Sequence, residues 1–255
     1  MDGLLAIAER YRLRIGPLQV WTPYWINADE APFWLNAPYR GKATPGQLER
    51  TVQGLVADDE PANAEQVRAI MRKHGLGVDC SGFTYYVLDH WLQRTLRRRV
   101  AECLYVSRDE ILARNARREL MKRRWGNRPV PELMVLAEAC HIWQTNPVYW
   151  TNVRRLLDRR VVEPVSVVSQ IRPGDMIGMT NKRGEDHIAL VLKLEDGRIV
   201  YGDSASDAAG GVSIRFVKLN DPELGLEHQE WSQRHLFHPG VGGTVDGVWR
   251  LKEPA

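Results

Sequence analysis

The stretch Gly77-Val78-Asp79-Cys80-Ser81-Gly82-Phe83, continued by Thr84-Tyr85-Tyr86-Val87-Leu88, decides how this chain is read. Asp79 is a residue type that caps helix N-termini. Phe83, Val87, Leu88, Trp91 and Leu92 follow at the three- and four-residue spacing that puts them on one buried helix face. Cys80 therefore opens a packed helix. There the unpaired backbone N–H groups and the positive end of the helix dipole favour the thiolate, the nucleophilic form of cysteine.

Upstream, Asn63 to His74 reads as a helix with Val67, Ile70 and Met71 inward, ended by Gly75 and Gly77. Residues 47 to 56 read as another, broken by Asp58-Asp59-Glu60-Pro61. Residues 4 to 13 read as a short helix, after which Pro17, Pro23, Pro32, Pro38 and Pro45 interrupt regular structure. The run from Trp21 to Gly41 is too apolar for disorder, so it is expected to wrap over the core, its aromatics covering a sheet face or lining a sugar- or peptide-binding groove.

Downstream, Gln93 to Arg160 holds 16 Lys/Arg against 7 Asp/Glu, a net of +9 in a chain whose total is +3. Its pattern is helical. Ser107 and Glu110 form a capping box followed by Leu112, Ala116 and Leu120, and Gly126 supplies a stop. A second helix is expected from Pro131 with Leu133, Leu136, Cys140 and Trp143 inward, and a third after Pro147 with Val153, Leu156 and Leu157 inward. The arginine-rich outer face is either a solvated surface or a dock for an anionic polymer; no nucleic-acid motif accompanies it.

From Val161 the pattern turns to short β-branched runs. Arg172-Pro173-Gly174-Asp175 is a turn leading into Met176 to Met179; His187 to Leu194 and Ile199 to Asp203 flank Asp196-Gly197, a strong hairpin signal; Val212 to Val217 is one further strand. The sheet is expected to be antiparallel, with the Cys80 helix on one face.

Composition excludes little. The small net charge argues for no partner, and no apolar run approaches a membrane span. The opening MDGLLAIAERYRLRIG carries acids and arginines where a signal peptide is apolar, so a cytoplasmic location is expected. Cys80, Cys103 and Cys140 make no disulfide framework and no zinc spacing, and no metal or other cofactor is expected.

Asp79-Cys80-Ser81-Gly82-Phe83 opening a helix, Arg172-Pro173-Gly174-Asp175 entering a strand and His187 opening a hairpin together resemble the NlpC/P60 cysteine peptidases. The resemblance implies a papain-like α+β fold and cleavage of amide or isopeptide bonds in bacterial cell-wall stem peptides. It makes Cys80 the nucleophile and His187 its base. The residues say the same independently: a thiol needs a group that takes a proton and returns it to the leaving amine, and His187 stands in a buried strand while His74, His90, His141, His228, His235 and His238 lie in helices, helix ends or the tail.

The member that orients the imidazole depends on register. The family's third position falls nearest Tyr201. A strict two-residue turn at Asp196-Gly197 pairs 187 with 206 and puts Ser204 and Ser206 on the histidine's face; a three-residue turn with a glycine bulge puts Tyr201 and Asp203 there. Asp203, chemically the best acceptor, is the expected choice. The backbone N–H groups of Cys80, Ser81 and Gly82 are the expected oxyanion donors, and Gly82 is expected to allow close approach of substrate. Asp79 is at least an N-cap; the resemblance further implies that Asp79 and Ser81 hold a substrate's free amine, although Gly77 and Val78 stand where the family carries a tyrosine.

The chain thus divides into an N-terminal wrapping segment (1–62), a catalytic core (63–92 with 165–219), a basic helical insertion (93–164) and a tail packing on the core (220–255). The leading expectation is a cysteine hydrolase acting through a thioester on a peptide, which the resemblance makes a cell-wall fragment. An acyltransferase on the same fold, and a catalytically silent protein that binds through the insertion, are the alternatives.

Overall fold

Helices and an antiparallel sheet meet at residue 80 in a computed structural model that describes residues 3–25, 41–57, 61–104, 147–181, 183–206, 210–232, 237–238 and 243–253. The longer helices are α1 (Leu4–Glu9), α2 (Pro45–Leu55), α3 (Ala64–Lys73) and α4 (Cys80–Leu96). A first hairpin joins β1 (Arg12–Ile15) to β2 (Leu18–Trp21). The main sheet comprises β3 (Val162–Pro164), β4 (Met176–Asn181), β5 (Asp186–Glu195), β6 (Arg198–Ala205), β7 (Gly211–Lys218), β8 (Glu230–Trp231), β9 (Phe237–His238) and β10 (Gly247–Leu251). Its order is β3-β10-β4-β5-β6-β7-β8, with β9 also on β4, and all pairings are antiparallel.

Asp79 caps α4 by accepting the Gly82 N–H at 2.6 Å, a contribution of about 1 kcal/mol for such a cap. Phe83, Val87, Leu88 and Leu92 are buried as their spacing requires, and Trp91 is half-buried. The helix stops where Arg97 turns left-handed (φ 52°). Asp89, buried in α4, draws the chain back by accepting the Val100 N–H at 2.8 Å and pairing with Arg99.

The sheet is packed on both faces. Ile188, Leu190, Leu192 and Val212 join Phe83 and Leu88 of α4 in one core, whereas Ile177, Met179, Val191, Tyr201 and Val217 join Val168, Leu226 and Val248 in the other. Gly202 is the close contact beneath α4: a Cβ there would come 3.0 Å from the Phe83 ring. At the Arg172–Asp175 turn, Gly174 (φ 96°) packs against Trp91, a position that a side chain would both strain and crowd.

One expectation needs correction, and two gain detail. The helix expected over 4–13 ends at Glu9, and Arg12–Ile15 is instead a strand, because Gly16 (φ 56°) and Pro17 turn the chain into a hairpin. The tail does not merely pack on the core: β10 lies inside the sheet, between β3 and β4, fixed by two 2.8 Å bonds from Arg250 to the buried Asp175 carboxylate. The N-terminal segment also shares backbone bonds with the core. Thr22 O accepts from Val212 and Tyr24 donates to Gly210 O, both at 2.9 Å, while on the other side Val78 donates to Pro23 O at 3.2 Å. The remaining flank of the 78–79 segment is taken by Lys42, which bridges Val78, and by Gly41, whose carbonyl accepts from Asp79 at 2.9 Å. The lead-in to Cys80 is thus clamped between two pieces of the first 42 residues.

A methyl group at Gly211 would sit 2.2 Å from Thr22 O, so Gly211→Ala is expected to push the 22–25 segment off β7 and lower stability by about 1–3 kcal/mol, read by chemical denaturation. A change of a few tenths would mean the clamp yields without cost.

The helices expected over 107–126 and 131–143, with Cys140, and the anionic-polymer surface they would carry, lie outside the described residues. Val153, Leu156 and Leu157 are buried in and after a four-residue helix, as expected. The nearby arginines are less free than the composition suggests. Arg155 is itself buried, Arg154 pairs with Asp186, Arg160 with Asp158 and Arg99 with Asp89. No described helix is long and apolar enough to cross a membrane.

Candidate active site

Register decides what faces His187. The Asp196-Gly197 turn is the two-residue kind, with both residues at positive φ (45° and 70°) and Glu195 paired to Arg198. Left uninterrupted, that register would pair 187 with 206. A bulge at Leu192 absorbs one residue, so Val191 pairs with Tyr201 and Leu190 with Gly202. The side of β6 that bears Tyr201 and Asp203 is thereby turned to the histidine's face. The outcome expected of a three-residue turn is reached by a different device.

Ser204 points the other way. Its hydroxyl donates to Val78 O at 2.7 Å, tying the lead-in of α4 to the end of β6 and bringing Cys80 to the strand end where His187 stands. His187 Nε2 lies 3.0 Å from Asp203 Oδ2, and Cys80 is near enough to the same ring to favour its charged form. Cys80 is 7% exposed, His187 2% and Asp203 0%. Tyr201, also fully buried, is spent on the far core, its ring 5.4 Å from that of Trp231.

Burial works against a charged imidazole, but the hydrogen bonds and charges of Asp203 and Cys80 outweigh it and push His187 up to about 10. Burial would likewise raise Asp203; its bond to His187, with Arg215 and Ser213 behind, holds it below the ordinary carboxylate range. The carboxylate is built in from the rear. Ser213 Oγ donates to Asp203 Oδ1 at 2.8 Å, Arg215 Nε donates to Ser213 Oγ at 2.7 Å, and the Arg215 side chain is 1% exposed. Together these groups favour a charged imidazole beside Cys80.

The oxyanion donors are fewer than expected. The Gly82 N–H is committed to Asp79, and the Phe83 N–H to the Asp79 carbonyl at 3.0 Å. The first-turn N–H groups of Cys80 and Ser81 therefore remain as donors. Nor does Gly82 open the site to substrate. A Cβ there would meet Gly41 O at 2.4 Å and Lys42 Cδ at 3.2 Å, so the missing side chain accommodates the protein's own backbone.

Tyr24 and Lys42 were not anticipated by pattern. Tyr24 bridges Val78, and burial, then the charges of Cys80, Asp79 and Glu185, raise its hydroxyl far above the ordinary range, keeping it neutral. A tyrosine thus reaches this place from the aromatic N-terminal run, in which Trp25 packs against Gly75 and Gly77 and donates its backbone N–H to Val78 O at 3.3 Å. Lys42 pairs with Asp79 at 2.8 Å. Among the described residues no group of three or more His, Cys, Asp or Glu side chains is placed to hold a metal ion.

No family model, no curated protein and no solved structure matches this chain.

Proposed function

We propose that the chain is a papain-like cysteine hydrolase of the NlpC/P60 type that cleaves an amide or isopeptide bond through a thioester. The observation that carries this reading is the buried series Cys80, His187, Asp203 at the start of α4. Sulfur attacks the acyl carbon, forming a C–S bond, while the Cys80 and Ser81 N–H groups receive the oxyanion. The imidazolium then gives its proton to the leaving nitrogen as the C–N bond breaks, and an amine departs. Water, deprotonated by the neutral imidazole, attacks the thioester; the C–S bond breaks and the thiolate and imidazolium are restored.

The resemblance carried by Asp79–Phe83, Arg172–Asp175 and His187 implies cell-wall stem peptides as the substrate class. Free stem peptides incubated with the protein and with Cys80→Ala are expected to yield new amine-ended fragments with the former alone, seen by mass spectrometry. Absence of cleavage across the panel, while Cys80 still reacts with an electrophile, would discard the wall-peptide substrate.

The deep burial of the thiol favours one second reading, acyl transfer, because a thioester sheltered from water survives to meet an amine. Adding a simple primary amine separates the two. Transfer yields the amine adduct in preference to the free acid, whereas hydrolysis yields the acid.

A further inference from the structure

The cation beside the nucleophile belongs to the protein itself. Lys42 Nζ lies 2.9 Å and 2.8 Å from the two Asp79 oxygens and 2.5 Å from Ser81 Oγ, and the Ser81 hydroxyl donates to Asp79 Oδ1 at 3.0 Å. The side chains of Lys42 and Asp79 are 11% and 8% exposed. Such an ammonium has left most of its water, and it persists there only because its donors are matched to a carboxylate and a hydroxyl. Its place is fixed by backbone. Lys42 bridges Val78, Gly41 O accepts from Asp79 at 2.9 Å, and Ala43 O accepts from the Tyr11 hydroxyl at 2.8 Å. Capping α4 requires only the bond from Gly82 to Asp79, so the cap alone does not account for a buried lysine.

We infer that Lys42 is a specificity-determining residue whose ammonium occupies, from within the chain, the anionic contact next to Cys80, so that the site takes acyl donors whose nearby amine is blocked or already in a peptide bond. This rests on the hydrolase reading. A free amino terminus would have to displace a tethered ammonium already holding both Asp79 and Ser81, whereas an acetylated or internal segment makes no such demand.

Two measurements test it. For the unmodified protein, stem-peptide pairs differing only in a free or acetylated amino terminus are expected to show kcat/KM within about threefold, or in favour of the acetylated member, and a preference of about tenfold or more for the free amine overturns the inference. In Lys42→Ala, ethylammonium chloride is expected to raise Tm relative to sodium chloride at equal ionic strength, because the small cation enters the vacated contact. The unmodified protein and the Asp79→Asn/Lys42→Ala double variant are expected not to respond. An equal response in all three, or none in Lys42→Ala, overturns it. The ammonium measurement needs no turnover, so an inactive protein that shows it would sink the hydrolase reading and leave the occupancy of the site standing.

Discussion

Cys80→Ala is expected to abolish turnover, with a loss of roughly 10⁵-fold or more in kcat, the scale seen when a nucleophile that acts as part of a unit is removed. His187→Ala should be nearly as severe, because on the proposed mechanism the ring beside Cys80 is also the proton donor to the leaving amine. The double variant should be scarcely worse than either single one; losses that simply add would mean the two groups do not act together. Labelling by a small cysteine-directed electrophile gives a readout that needs no substrate. Cys80 should react fastest in the unmodified protein, since burial raises the Cys103 thiol despite the nearby Arg98, and in His187→Ala its rate should fall toward that of Cys103. Equal rates for Cys80 and Cys103 in the unmodified protein would remove Cys80 from the role.

What could be read from sequence is what local chemistry dictates. Asp79, the apolar spacing after it and the Asp196-Gly197 turn are short-range signals, and α4 and the β5–β6 hairpin follow them. The bulge at Leu192 is another matter. Val191-Leu192-Lys193 contains no glycine or turn residue, so the device that turns Asp203 toward His187 leaves no mark in the sequence. Along β7 the alternation of Val212, Ile214 and Phe216 with Ser213 and Arg215 reads as polar residues facing solvent. Arg215 is nevertheless buried and Phe216 exposed, because a buried carboxylate at Asp203 needs a cation and a donor behind it. Lys42 and Tyr24 were hidden for a third reason. Their roles depend on the lead-in, residues 78–79, being bridged to segments more than 35 positions earlier, and no periodicity reports that.

Asp203→Asn isolates what that hidden support does. The carboxylate, with Cys80, raises His187 to about 10 against the burial that would lower it, so removing the carboxylate takes away the first of the contributions that oppose burial and the ring should lose its proton at lower pH. The basic limb of kcat/KM, set near 10 in the unmodified protein by loss of the imidazolium, should move to lower pH. At neutral pH kcat should fall by about 10²–10⁴-fold, since an amide both weakens the imidazolium and permits the wrong tautomer. Stability gives the independent check. A histidine raised from 6.5 to about 10 by folding contributes stability that is complete below about pH 6.5 and is lost as pH rises toward 10, with a slope approaching about 1.4 kcal/mol per pH unit. Asp203, lowered by folding, has the opposite sign: its contribution is present above its ordinary value of 3.8 and disappears as pH falls through its folded value. Between these limits the native state holds both charges. In Asp203→Asn the decline between pH 6.5 and 10 should shrink and the acid-side loss due to residue 203 should vanish, followed by denaturation across pH. An unchanged alkaline slope, together with an unchanged basic limb, would show that Asp203 supports the fold around His187 without setting its charge.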